Sequence, residues 1–430
     1  MKIIEGFDVA RPLLSRRVPG EMAGGVGLET AVRQIIDEVR DRGDAALFDY
    51  TLKFDGVKLN SLEVSKEEIT GAYREVDSGL VSALKLAAER ITAFHVKQRN
   101  SLLHEASGES LGWLVRPLSR IGAHAPGFTA PLPSSLLMTA IPARVAGVKE
   151  VFLVTPPMKQ GGVSPVTLVA ADIAGVDRVF SVGGAQAIAA LAFGTESIPG
   201  VDKVCGPGNI YVLLAKKLLY GVVGIDGLYG PSEVLIVADE TATPEYCAAD
   251  LLAQAEHNMG SATLVTTSRG LADRVAGEVE KQLEDLPTKA TAAESLEERG
   301  MIVVVTSVDE AIELANLYAP EHLCLIVDNA GSYVDRVFNA GCIFIGENSV
   351  EAIVDYVAGP SHVLPTEGVA RFGSPLNVTD FIKLISLVNM TESDVSQLGQ
   401  ATSTIARAEG LEAHARAVEK RLTIPDQGGN

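Results

Sequence analysis

Four of the chain's seven histidines, His257, His322, His362 and His414, fall in its second half, and each lies near an acid or an amide. In the run AQAEHN, Gln254 and His257 are three residues apart, which on a helix puts both side chains on one face and within reach of a single ion. Asp355 stands seven residues before His362, and Glu409 five before His414. Imidazole, carboxylate and amide oxygen without a thiolate form a donor set for Zn, Mn or Co rather than for a structural cysteine site. The adjacent pair Glu321-His322, in YAPEHL, offers other chemistry: a carboxylate and an imidazole whose pKa values are pushed apart can divide general acid and base work. Taken singly, such a histidine is more often a surface or hydrogen-bonded residue, and such a Glu a helix-end cap, so spacing alone does not assign these roles.

Two glycine-bearing turns point to an anion. Gly183-Gly184-Ala185-Gln186 and Gly206-Pro207-Gly208-Asn209 each follow a strand-like run and open a helical one, presenting backbone N–H groups at a helix start. A tight strand-to-helix turn explains either motif alone; two in succession, each with an amide side chain, favour a nucleotide. No GxGxxG is present. The four cysteines, Cys205, Cys247, Cys324 and Cys342, lack CxxC spacing and are expected to be small buried apolar residues in a reducing, cytoplasmic setting.

These residues need a frame. Short apolar runs rich in β-branched residues at 149–157, 177–184, 203–208, 232–239, 262–268, 301–307, 323–327 and 342–346 predict buried strands. Helical runs lie between them at 133–146, 165–174, 185–193, 210–220 and 244–257. Strand, helix, strand at this spacing means parallel sheets covered on both faces. The expectation is two open, Rossmann-like α/β domains split near residue 230, with helices at about 28–100 ahead of them and a helical tail after about 377. Ligands in such folds sit at the carboxyl ends of the strands.

The whole-chain numbers narrow the function. A length of 430 residues predicts two or three domains, and 47% hydrophobic residues supply ample core. A net charge of -19 has the wrong sign for a nucleic-acid partner. Neither a secretory signal nor an apolar run long enough to span a bilayer is evident.

Long strings carry a resemblance. LLMTAIPARVAGVKEV (136–151), VGGAQAIAALAFGTESIPGVDKVCGPGNIYV (182–212), GPSEVLIVAD (230–239), LLAQAEH (251–257), YAPEHL (318–323), GPSHVLPT (359–366) and EGLEAH (409–414) resemble the histidinol dehydrogenase family, over about residues 20–420. The resemblance implies a homodimeric enzyme of the last steps of histidine biosynthesis that oxidises L-histidinol through L-histidinal to L-histidine, with two NAD and one Zn ion per subunit. By position, Gln254, His257, Asp355 and His414 match the metal ligands, His414 coming from the other subunit of a domain-swapped dimer. Glu321 and His322 match the acid/base pair. Ser232 and Glu409, with His322 and the metal ligands, match substrate contacts, and Gln186, Asn209 and His124 fall at nucleotide-contact positions. The implied domains are an arm at 1–20, a discontinuous α/β domain at 21–122 plus 234–376 bearing the metal and catalytic residues, a nucleotide-binding α/β domain at 123–233, and a tail at 377–430 that docks on the partner subunit.

The chain departs from the family pattern in places. His124 stands where a Tyr is usual, Phe128 replaces a Gly, Asp226-Gly227-Leu228-Tyr229 replaces a Met-Pro-Ala type of run, and Asn258, Met259 and Val354 are further changes. They lie beside the site, so they bear on the nucleotide contact and on substrate choice while leaving the metal and Glu-His machinery whole. Two alternatives follow: a paralogue that oxidises another amino alcohol or a sulfonated diol, or one that binds ligand without turnover.

Overall fold

The computed structural model describes residues 1–15, 26–103, 111–127 and 131–422, so Phe128 lies outside the described residues. The strands are β1 (Lys2–Glu5), β2 (Leu111–Pro117), β3 (Arg120–His124), β4 (Glu150–Thr155), β5 (Arg178–Ser181), β6 (Lys203–Cys205), β7 (Gly224–Ile225), β8 (Glu233–Ala238), β9 (Ser261–Thr266), β10 (Met301–Val304), β11 (His322–Ile326), β12 (Cys342–Ile345) and β13 (Ile382–Val388). The helices are α1 (Phe7–Leu14), α2 (Val26–Arg42), α3 (Asp44–Asp55), α4 (Lys66–Ala72), α5 (Ser78–Leu102), α6 (Pro133–Ala146), α7 (Pro165–Ile173), α8 (Gly184–Phe193), α9 (Ile210–Leu219), α10 (Pro244–Ala255), α11 (Arg269–Leu283), α12 (Lys289–Arg299), α13 (Val308–Tyr318), α14 (Glu351–Ile353), α15 (Glu392–Ala408) and α16 (Glu412–Leu422).

The chain divides into two units, residues 1–99 with 118–381 and residues 100–117 with 382–430. The first holds both expected parallel sheets. One runs β5-β4-β3-β6-β7 and the other β1-β10-β9-β8-β11-β12. Leaving aside the edge strand β1 and counting each sheet's strands in chain order, both have the order 3-2-1-4-5 of a nucleotide-binding α/β sheet, with reversal points between β3 and β6 and between β8 and β11. All six residues of β8 and of β9 are buried, as expected of strands covered on both faces. On one face Ile236, Leu264 and Ile302 pack with Leu251 and Leu252 of α10 and Val275 of α11. On the other Leu235, Val265 and Val303 pack with Leu14 of α1 and Leu314 and Tyr318 of α13. The alternation by one residue is the strand period of two.

Three placements differ from the sequence reading. Residues 2–5, read as part of an N-terminal arm, form the edge strand beside β10. Val32, Ile36 and Leu47, on α2 and α3, share a core with Phe152, Phe180 and Leu191 and so pack on the five-stranded sheet, whereas residues 21–122 were expected with the other domain. The apolar stripe of α2 fits either sheet; the partner face decides, and no local signal in the sequence names it. The region after 377 also contains a strand, β13, hydrogen-bonded antiparallel to β2 in the second unit. There α15 begins with a capping box, Thr391 with Asp394, and the chain turns at Gly410 (φ +78°) into α16. Among the described residues, no helix is long and apolar enough to cross a membrane.

Candidate active site

The Glu321-His322 pair opens β11, and its position is set by the turn before it. Helix α13, capped by Ser307 on the Glu310 N–H at 3.2 Å, ends at Ala319, a non-glycine residue held at φ +52°. Pro320 then directs the chain into the sheet. Because β11 pairs with β8 from His322 opposite Val234, the two carboxylate and imidazole side chains meet the Ser232-Glu233 segment at the amino ends of the strands. Ligands of open α/β folds were expected at the carboxyl ends of the strands; here the α10 and α13 helices, which run antiparallel to the strands, deliver the chemistry-bearing residues to the opposite end.

Glu321 is 6% exposed, and its Oε2 accepts hydrogen bonds from Ser232 Oγ at 2.6 Å and from the Glu233 N–H at 2.9 Å. Burial pushes its carboxyl well above the usual carboxylate range, although both hydrogen bonds pull the other way. Ser232 Oγ also lies 3.4 Å from Oε1 of the fully buried Gln254, which ties the last turn of α10 to the pair. The His322 ring places Nδ1 3.2 Å from the Glu233 carbonyl oxygen and 3.2 Å from Glu351 Oε1, while Nε2 faces Asp355 Oδ1 at 3.7 Å. A ring nitrogen against a backbone carbonyl is the N–H donor, so this geometry assigns the proton to Nδ1 and leaves the Nε2 lone pair basic. Burial lowers the His322 pKa to about 3, so the ring is neutral.

One ligand atom from each of His322, Glu351 and Asp355 falls within 4.8 Å of the others. His322 Nε2, Glu351 Oε2, Asp355 Oδ1 and Gln254 Nε2 are buried without hydrogen-bond partners. Burial raises the Asp355 pKa to about 6 and pushes Glu351 well above the carboxylate range. Among the described residues, no lysine or arginine pairs with Glu321, Glu351 or Asp355. Buried carboxylates and an imidazole converging without a counter-cation fit a resident metal ion, and nitrogen and oxygen donors suit zinc.

Of the residues singled out in the sequence, Ser232, Gln254, Glu321, His322 and Asp355 are thus brought together. His257 sits in the tight turn after α10, exposed, and close enough for its charge to bear on His322 and His362. The turn is held by the Gly260 N–H on the His257 carbonyl at 2.9 Å and passes through Met259 at φ +61°. His362 donates from Nδ1 to the Asp355 carbonyl at 2.7 Å and meets Ser135 Oγ with Nε2 at 3.1 Å, so it braces the Asp355 turn. Glu409, the last-turn cap of α15, and His414 of α16 belong to the second unit and are exposed. The five-residue offset between them is broken by the Gly410 turn, so they are not on one helix.

Glu351 escaped the sequence reading. Its signal was present: it precedes Asp355 by four residues, a spacing that puts two carboxylates on one helical face. The turn that carries them is a short α segment widened into a π turn at Val354–Ala358, a feature common at functional sites.

The nucleotide-type loops lie on the other sheet, at its carboxyl end. Gly206–Asn209 follows β6, and His124 ends β3, so the two flank the reversal point. His124 is 5% exposed, donates from Nδ1 to the Pro207 carbonyl at 2.7 Å, and is neutral because burial lowers its pKa to about 4. Asn209 caps α9, its Oδ1 accepting from the Tyr211 and Val212 N–H groups at 3.1 and 3.2 Å. Gln186, in the first turn of α8, is 3% exposed.

The family model described as histidinol dehydrogenase matches residues 24–422. A histidinol dehydrogenase of Dehalococcoides mccartyi (strain CBDB1) is 53% identical over 98% of this chain and 100% of its own, and one of Deinococcus radiodurans is 52% identical over 92% and 91%. The crystal structure of histidinol dehydrogenase from Elizabethkingia anophelis superposes with a TM-score of 0.92 at 38% identity, covering 98% of both chains. The chain belongs to the histidinol dehydrogenase family.

Proposed function

We propose that this protein is a zinc- and NAD-dependent enzyme that oxidises L-histidinol through L-histidinal to L-histidine. The observation that carries the reading is the buried Glu321-His322 pair, with a basic, unpartnered Nε2 facing Asp355 and a carboxylate oxygen held by Ser232. Zinc, when bound, would supply Lewis-acid charge at the site, and NAD would accept the hydride.

The chain's own residues divide the proton work. His322 Nε2 takes the hydroxyl proton in the first oxidation, with the Nδ1–H anchored on the Glu233 carbonyl and beside Glu351. Glu321 activates the water that adds to the aldehyde, and its burial excludes competing solvent. His322 serves again as the hydrated aldehyde is oxidised to the acid. Gln254, His257 and Asp355 would hold the metal with His414 of a second subunit, leaving His322 Nε2 free as the base, while Ser232 and Glu409 would position the substrate. Exposed apolar side chains on the strands of the second unit, Leu111, Leu384 and Val388, support a homodimer that covers them. Gln186, Asn209 and His124 line the nucleotide side.

The experiment is turnover on a substrate panel at fixed NAD. L-Histidinol should be oxidised far faster than other amino alcohols or a sulfonated diol. Preference for one of those would assign the chain to a paralogue retuned at Tyr229 and Met259, and metal and ligand binding without NADH would mark a non-catalytic one.

A further inference from the structure

Beneath the Gly206–Asn209 loop lies a charged cluster that the chemistry above does not use. Lys216, on α9, is 2% exposed and pairs with Asp226 Oδ1 at 2.5 Å, and the Asp226 side chain is fully buried. Lys216 Nζ donates to the Gly206 carbonyl at 3.1 Å, and Asp226 Oδ2 accepts the Gly206 N–H at 2.6 Å, so one ion pair holds both polar groups of a single loop residue. Asp226 Oδ1 also accepts the Gly227 N–H at 2.8 Å, and the ring of Tyr229 lies 4.9 Å from the Lys216 ammonium. The same residues, Gly206, Lys216, Gly227 and Tyr229, line a pocket together with Gly208 and Leu213.

The anchored residue needs holding. Gly206 has φ +106°, and a Cβ there would come within 2.3 Å of the His124 carbonyl oxygen, so the loop presses on the end of β3 in a conformation open to glycine alone. A buried ion pair is weak evidence of stability, because apolar residues of similar volume often serve the fold as well. Its worth is geometric. It fixes the peptide planes on both sides of Gly206, where the loop leaves β6 on its way to the start of α9, before any ligand arrives.

We infer that the Lys216–Asp226 pair, covered by Tyr229, is a positioning device that preorganises the Gly206–Asn209 loop for the dinucleotide. It acts through the loop and does not touch the nucleotide. The inference rests on the nucleotide reading of this loop proposed above. Preorganisation appears as affinity, since a loop that must be ordered on binding subtracts its ordering cost.

The test is NAD binding to the full-length protein, followed by fluorescence titration with NADH and by KM for NAD. Replacing the pair together, Lys216→Met with Asp226→Leu, should leave the melting temperature within a few degrees and kcat at saturating NAD little changed. Nucleotide affinity should fall about tenfold, or ~1.4 kcal/mol. A folded double variant that binds NAD as the parent does would overturn the inference. Should that variant not fold, Tyr229→Leu provides the reading: a several-fold rise in Kd supports the device, and an unchanged Kd overturns it. Asn209→Ala separates the two levels. If it too leaves affinity unchanged, the nucleotide reading has failed; if it weakens binding while the pair does not, only the positioning role has.

Discussion

His322 presents a different environment to each of its nitrogens, and the proposed chemistry depends on that difference. Nδ1 is committed to the Glu233 carbonyl and Glu351, whereas Nε2 is buried, unpartnered and 3.7 Å from Asp355. His322→Ala should therefore slow both oxidation steps, by roughly 10²–10⁴, the range for a lost general base. Glu321→Gln should nearly preserve alcohol oxidation yet cripple aldehyde oxidation, because only the second step consumes an activated water. Supplying L-histidinal directly checks this, and a wild-type rate with aldehyde would refute the role of Glu321. The pair was legible in the sequence as adjacent residues before a strand. Glu351 was not singled out, because its own partner, His322, is 29 residues away in the chain.

Elements bring these residues together from distant sequence positions, and the way they do so explains what could be read in advance. The strands β4, β5, β6 and β8 to β12 and the helices α6 to α10 were recoverable from apolar runs and helical periodicity, because a strand covered on both faces, as β8 and β9 are, shows little alternation. The edge at which the site forms was not recoverable. It follows from α10 and α13 returning to the amino ends of β8 and β11, a tertiary fact. Nor was β13 recoverable, since its pairing with β2 spans more than 260 residues. A prediction belongs at this scale. Ser307 caps α13, the helix whose end at Ala319 aims Glu321 and His322. Ser307→Ala should cost about 1 kcal/mol, as lost N-caps do, measurable by thermal or urea unfolding, with activity retained once the protein is folded. Loss of activity in a folded Ser307→Ala protein would show that the cap also sets the site.

At the scale of the whole molecule, ionisation and assembly both leave measurable signs. Burial raises the pKa of Asp55 to about 6, and its Oδ2 has no hydrogen-bond partner. A carboxyl whose folded pKa lies above its unfolded value favours the fold at low pH and loses that contribution as pH rises through the folded pKa. Asp55→Asn should therefore raise the melting temperature at pH 8 more than at pH 4, and an equal change at both would contradict the assignment. Assembly is tested by mixing inactive His257→Ala with inactive His414→Ala. In a swapped dimer, one of the two sites in each mixed pair is intact and activity returns, whereas mixed dimers without activity would place His414 in its own subunit's site. Two candidate sites were legible in the sequence, as the histidine and acid cluster of one half and the glycine turns of the other. The central claim, that a single enzyme carries L-histidinol through two oxidations, is tested most directly by NADH stoichiometry. The purified protein, given limiting L-histidinol and excess NAD, should form two NADH and one L-histidine per substrate consumed. One NADH with L-histidinal accumulating, or none, would contradict the account.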